Sequence, residues 1–183
     1  PLLAAYDATP ADDPLKARLA EQVALLRGWD HRWSADSEAT SLAVFWGEQL
    51  WGEVAVAARA AGRSVYEDMA GRTTSQQKLA ALAAASDRLA QDFGSWRTPW
   101  GQINRFQRLT GDLVQPFNDD APSIPVPFAS AQWGSLASFG AGRKPGTRKY
   151  YGTSGNSFVA VVEFGDRVKA RAVTAGGESG DPK

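Results

Sequence analysis

An α+β fold follows from two features of the 183-residue sequence. Residues 1–98 place apolar side chains at helical spacing, whereas residues 99–183 switch to proline-rich extended chain and end in a hairpin pattern around Gly165-Asp166. The sequence therefore divides into a helical region, 1–98, and a region of extended segments and terminal strands, 99–183.

The first helix enters at Asp12-Asp13-Pro14, where a carboxylate can cap free N–H groups and a first-turn proline loses no bond. Leu15, Leu19, Val23 and Leu26 form its stripe, and Gly28 stops it. A second helix runs from Asp36 or Ser37 to Gly62. Leu42, Phe45, Trp46, Gln49 and Val54 mark its buried side, and Leu50 and Trp51 widen that face enough for more than one neighbour. A third begins with Thr74 and Gln77 in capping-box relation, buries Leu79, Leu82, Ser86, Leu89 and Phe93, and closes at Gly94 and Pro99.

Beyond Pro99, WGQINRFQRLTGD allows one short helical turn, and NDDAPSIPVPF reads as extended chain. Alternation of Ile124, Val126 and Phe128 predicts a strip laid on an apolar surface, and Trp133 to Phe139 a strand, followed by a basic loop, GRKPGT. A two-residue turn at Gly165-Asp166 puts Val159, Val161, Val168, Ala170 and Ala172 on one face, with Glu163 near the turn. Phe158, Ala160, Val162 and Phe164 then face Arg167, Lys169, Arg171 and Val173. The first strand is thus apolar on both sides and calls for cover on two faces.

Composition excludes several functions. Twenty basic residues balance twenty acidic ones, so no global field draws nucleic acid or an anionic membrane. No apolar run approaches the roughly 20 residues of a membrane span. Without cysteine there is no disulfide, thiolate metal site or cysteine nucleophile, and the single histidine, His31, cannot make a zinc site with a second imidazole. His31 reads as an inter-helix surface residue, adjacent Asp119-Asp120 as solvated loop carboxylates, and most of the seven tryptophans as core. Glu163 in an apolar strand must find a partner, water or a proton. The glycine-rich AGGESGDP lacks the Lys-Ser/Thr ending and following helix of a phosphate loop. Position 1 is proline and cannot act as a terminal hydroxyl nucleophile. No self-sufficient catalytic constellation is present.

Three segments, LLRGWDHRWSADSEATSL, TPWGQINRFQRLTGD and GTSGNSFVAVVEFGDRVKARAVTAGGESGDP, in this order and spacing, resemble the C-terminal part of the β chain of penicillin-acylase family enzymes. These are N-terminal-nucleophile amidohydrolases, cephalosporin acylases, acyl-homoserine-lactone acylases and lipopeptide acylases among them. The resemblance implies the helical region and last strands of an αββα sandwich, an incomplete piece of it. It also implies a periplasmic or secreted location, no cofactor, and an acyl-amide substrate with antibiotic or quorum-quenching relevance. Partners would be an α chain and the N-terminal part of the β chain. The nucleophilic serine, its neighbouring histidine, the oxyanion asparagine and the calcium ligands of calcium-binding members would all precede the region resembling Pro1, leaving no catalytic or metal residue here and an isolated chain without activity.

One position carries over. Asn156 aligns with a glutamate that, in cephalosporin acylases, interacts with the histidine near the nucleophile. An amide can orient an imidazole but cannot stabilise its cation as a carboxylate does, and Asn156 after Gly155 equally suits a turn. The alternative function is a non-catalytic helical interaction module using the tryptophan-bearing second helix.

Overall fold

The computed structural model describes residues 1–156 and 158–174. Among the described residues seven α-helices precede or flank two small sheets. The helices are α1 (Leu2–Ala8), α2 (Pro14–Arg18), α3 (Ala20–Arg27), α4 (Glu38–Ala60), α5 (Val65–Glu67), α6 (Ser75–Phe93) and α7 (Trp100–Ile103). The strands are β1 (Asn104–Phe106), β2 (Ile124–Pro125), β3 (Phe139–Arg143), β4 (Tyr150–Gly155), β5 (Phe158–Glu163) and β6 (Lys169–Thr174). Mixed helix and sheet bears out the α+β class.

Capping explains the helix starts. Asp13 accepts from Leu15 N–H, Ser37 from Thr40 N–H, and Thr74 and Gln77 complete the reciprocal capping box of α6. Gly94 ends α6 at φ +85, a left-handed value that glycine adopts without a Cβ penalty. The predicted first helix is instead two, broken at Leu19, because α2 packs on α6 while α3 packs on α4; Leu19 itself is fully buried at the joint. Helix α1 was not foreseen. It is one short turn-pair with no capping side chain, and tertiary contacts fix it: Leu2 and Ala5 are buried, and Lys16 Nζ donates to Thr9 O at 2.5 Å just past its end.

Helices α4 and α6 form the central pair, contributing Leu42, Phe45, Leu79, Leu82 and Leu89 to the main core. A smaller cluster around Leu50, Val65 and Met69 adjoins it, with Trp46 and Trp133 packed against both. Between α5 and α6 a π-helical turn, Asp68–Arg72, buries the Asp68 carboxylate under the Arg63 guanidinium fork, two bonds of 2.9 Å. Trp46 donates its indole N–H to Lys78 O, and Trp51 meets Tyr66 and Trp133 edge-on, so these tryptophans pack internally as expected.

The first sheet has the order β2-β1-β4-β3, with β1 and β4 parallel and the outer pairs antiparallel. The strand expected at Trp133 to Phe139 begins only at Phe139. Ala131–Trp133 is a 3-10 turn closed by left-handed Gly134 (φ 83), which turns Trp133 back onto the helices. Ile124 and Phe128 are exposed, so the 124–128 strip is not held by burial. Its backbone hangs from Asn104, whose Nδ2 donates to Val126 O and Phe128 O.

The hairpin is present, with its register displaced by one residue from the expected one. Glu163 pairs with Lys169 and Val161 with Arg171, so five residues, 164–168, lie between the paired ends rather than two. Because side chains alternate faces, the one-residue shift regroups them all. Phe158, Ala160 and Val162 share a face with Ala170 and Ala172. Val159, Val161 and Glu163 share the other with Lys169, Arg171 and Val173. The first of these faces is predominantly apolar, and Phe158, Val161, Val162, Phe164, Val168 and Val173 are all exposed.

Candidate functional site

Between the first sheet and the hairpin lies an open groove of about 840 Å³, within the size range of small-molecule sites. Its apolar walls come from Phe106 of β1, Phe128, Phe139 of β3, and Val159 and Val173 of the hairpin. Ser154 and Asn156 add polar groups along the end of β4.

Two glycines shape this floor. The Phe139 ring rests where a Gly152 side chain would begin: a Cβ there would stand 2.1 Å from the ring. At Gly155 a Cβ would meet Ser138 O at 2.7 Å. Only backbone without Cβ lets β3 and β4 approach this closely, with a bulge between Gly140 and Ala141 absorbing the mismatch.

The third wall is the loop 107–118, rich in polar residues and organised by two glutamines. Buried Gln107 donates through Nε2 to Asn118 O, Ala121 O and Pro122 O, and its Oε1 accepts from Asn118 N–H at 2.9 Å. Gln115 Oε1 accepts from Leu109 and Thr110 N–H groups. Phe117 stacks on Tyr151 with centroids 5.1 Å apart, which turns the loop toward the groove. Asp119 fixes the far end. Its carboxylate accepts from Arg148 N–H at 2.7 Å and the Tyr151 hydroxyl at 3.0 Å, so it is an internal anchor rather than the solvated loop acid expected. Burial, then the bond to Asp119, pushes the Tyr151 phenol up to about 12.

Beneath the groove β4 turns Tyr150 the other way, into the helices. Its ring stacks on Phe45 at 5.5 Å and meets Trp100 edge-on at 6.3 Å. Its hydroxyl donates to Glu48 Oε2 at 2.6 Å and accepts from Arg88 Nη2 at 2.9 Å. Asp92 completes the line, facing Arg88 Nε at 3.7 Å and Arg143 Nη1 at 3.2 Å. Burial holds the Glu48 carboxyl above its ordinary range, opposed by the Tyr150 hydrogen bond and the Arg88 charge. Burial and then the Glu48 charge push the Tyr150 phenol well above its own. These groups satisfy one another, so the arrangement locks the sheet to α4 and α6 and leaves no free acid or base.

Asn156 sits at the rim of the groove and is tied to Ser138. Its Oδ1 accepts from Ser138 N–H, and its own N–H donates to Ser138 O at 3.2 Å. These bonds carry the β3–β4 pairing one residue past Gly155, and the amide NH₂ has no partner among the described residues. His31 is elsewhere, exposed in the α3–α4 connection at φ 59, its ring 5.0 Å from Trp29. Glu163 is exposed opposite Lys169 and faces water, not a core. The glycine-rich AGGESGDP lies outside the described residues. Among the described residues no three His, Asp or Glu side chains gather as a metal site requires. The hydroxyls in the groove have no imidazole or carboxylate beside them in its lining, so the lining contains no paired nucleophile and base.

The family model of penicillin amidase matches residues 1–183, the whole length of the chain. The chain belongs to the penicillin amidase family. No curated protein matches it. Penicillin amidase membership makes the complete enzyme an acylase, a hydrolase of amides. Within this penicillin amidase chain no helix among the described residues is long and apolar enough to cross a membrane.

Sequence reasoning missed Glu48, Arg88 and Tyr150. A signal was present: Glu48 stands three residues after Phe45 on the buried side of α4, and Arg88 precedes Asp92 by one helical turn. A carboxylate on an apolar stripe requires a cation or donor from a neighbouring element.

Proposed function

We propose that this chain is the supporting half of an acylase that cleaves the amide of an acylated small molecule: a β-lactam side chain, an acyl-homoserine lactone or an acyl lipopeptide. Residues 1–98 are its helical region and 99–183 contribute terminal strands of a sandwich completed by other polypeptide, in a periplasmic or secreted enzyme. A terminal serine supplied from outside these residues attacks the amide carbonyl, using its own α-amine as base, and water then releases the acid. Asn156 acts around that centre by presenting its amide NH₂ from the groove rim, its oxygen being held by Ser138.

The observation that carries this reading is the family match over residues 1–183, and the exposed apolar face of the hairpin agrees with it. The interaction-module alternative loses its main support, because Trp51 of α4 is covered from within by Tyr66 and Trp133 rather than offered to a partner.

The test uses the full-length protein and the purified 183-residue chain in parallel, assayed for free carboxylic acid from phenylacetyl and fatty-acyl amides. The full-length protein releases acid and the chain alone does not. Turnover by the isolated chain, or no turnover by a processed full-length protein across all acyl classes, sinks the proposal.

A further inference from the structure

A second, much smaller cavity of about 20 Å³ lies where α4, α7, the 129–133 segment and β4 meet, with Glu48, Trp100, Asn104, Ser130 and Tyr150 in its wall. Two side chains in that wall are fully or almost fully buried, Asn104 at 0% and Trp100 at 2% exposure. Each carries one polar atom with no protein partner: Asn104 Oδ1 and Trp100 Nε1. Buried polar groups are very largely paired in folded proteins, so two orphans on one small cavity require an explanation.

Their chemistry narrows what can pair them. The Asn104 amide is fixed in orientation, because its Nδ2 donates to Val126 O at 2.8 Å and Phe128 O at 2.7 Å; the flipped amide would set oxygen against two carbonyl oxygens. Oδ1 is therefore an acceptor, while the indole N–H is solely a donor. A cation would be repelled by the indole N–H and an anion by the amide oxygen. An apolar group would satisfy neither. The volume exceeds the roughly 10–15 Å³ that one water needs and leaves no room for a larger molecule.

We infer that this cavity is a binding site for a single ordered water, accepting from Trp100 Nε1–H and donating to Asn104 Oδ1. Its second O–H is directed to the carboxylate of Glu48 or the hydroxyl of Ser130. The water joins three parts of the fold: α7, the strip that hangs from Asn104, and the Glu48–Tyr150 lock. It makes Asn104 a fully bonded amide, with both N–H groups and the oxygen in use.

High-resolution crystallography of the full-length protein tests this directly, and the wild-type map decides it without any variant having to fold. A density peak within hydrogen-bond distance of both Trp100 Nε1 and Asn104 Oδ1 is expected. In Trp100→Phe, which removes only the donor, that peak is lost or displaced while the Tyr150–Glu48 bond stays. In solution the Trp100 indole proton should show magnetisation transfer to a long-lived water. A map that resolves other buried waters and leaves this cavity without a peak overturns the inference, as does a Trp100 N–H bonded to a protein carbonyl.

Discussion

The Tyr150 hydroxyl donates to Glu48 Oε2 at 2.6 Å across 102 residues of sequence, the shortest of the polar contacts that lock the first sheet to the helices. Removing it in Tyr150→Phe leaves the ring stacked on Phe45 but strips the Glu48 carboxylate of its closest donor, with only Arg88 Nη1 at 3.6 Å remaining. Hydrogen bonds to charged groups contribute about 1.5–3 kcal/mol, so urea unfolding should show a loss of about 2 kcal/mol. Glu48→Gln should cost less, since the amide oxygen still accepts from Tyr150 and no charge remains to be buried. An equal or larger loss in Glu48→Gln would show that charge, not the phenol bond, holds the lock.

Alkaline pH should unlock the sheet. Tyr150 and Tyr151 both have folded-state pKa values raised above the ordinary 10.0, Tyr151 to about 12. A raised pKa gives stability that is whole below the unfolded value and is lost as pH rises through the folded one. Stability should therefore begin to fall near pH 10 and continue to about 12, by about 1.4 kcal/mol per pH unit for each tyrosine. Burial lowers the Lys78 ammonium and acts with the opposite sign just below its ordinary 10.5, so the comparison that matters is between variants. Tyr151→Phe should roughly halve the alkaline slope; an unchanged slope would remove Tyr151 from the account.

At Gly152 any side chain collides with the Phe139 ring, 2.1 Å from the position of a Cβ. The ring cannot retreat without opening the groove floor. Gly152→Ala should destabilise by about 1–3 kcal/mol, the usual range for overpacking, and change Phe139 ring-proton shifts. Pairing it with Phe139→Ala should recover part of the loss, because the second change vacates the contested space. Additive costs would place the strain elsewhere.

What could be read in the sequence was whatever is encoded locally. The capping box at Thr74 and Gln77 and the stripes of α4 and α6 depend on neighbours three or four residues away, and they appear where expected. Helix α1 and strand β4 did not announce themselves. The first is too short to carry a period, and the second is built from glycines and hydroxyls that pair only because β3 and the parallel β1 lie beside it. The hairpin shows the limit most sharply. Its existence was plain from apolar patterning, but its register depends on how Phe164 to Val168 close the turn, and one residue of difference moved Arg171 and Lys169 to the face of Val161. The groove beside Asn156 is assembled from segments more than sixty residues apart and has no sequence signature.

The Ser138 contact of Asn156 and the orienting role proposed for its NH₂ can be separated by substitution. Asn156→Ala removes the oxygen that accepts from Ser138 N–H and the free NH₂ together, whereas Asn156→Asp keeps an acceptor and loses the donor. Alanine should therefore cost about 1 kcal/mol of stability and aspartate less. If the NH₂ orients an imidazole in the complete acylase, both variants should lower kcat/KM, and aspartate should also raise the alkaline-side dependence on that imidazole by stabilising its cation. Equal activity of wild type and Asn156→Asp across pH would confine Asn156 to the Ser138 contact.

The register of the hairpin yields the most discriminating prediction. Val162 lies on the predominantly apolar face with Phe158, Ala160, Ala170 and Ala172, and it is exposed in this chain. A charge there meets water, so Val162→Asp should change the stability of the isolated chain by no more than about 0.5 kcal/mol and should reduce its aggregation. If polypeptide outside these residues covers the same face in the complete acylase, as proposed, a buried, unpaired carboxylate there should cost several times as much and impair assembly. Measuring both proteins separates the two environments with one substitution. If Val162→Asp is as harmless in the full-length enzyme as in the chain, the hairpin face is free there too, and its apolar surface needs another explanation.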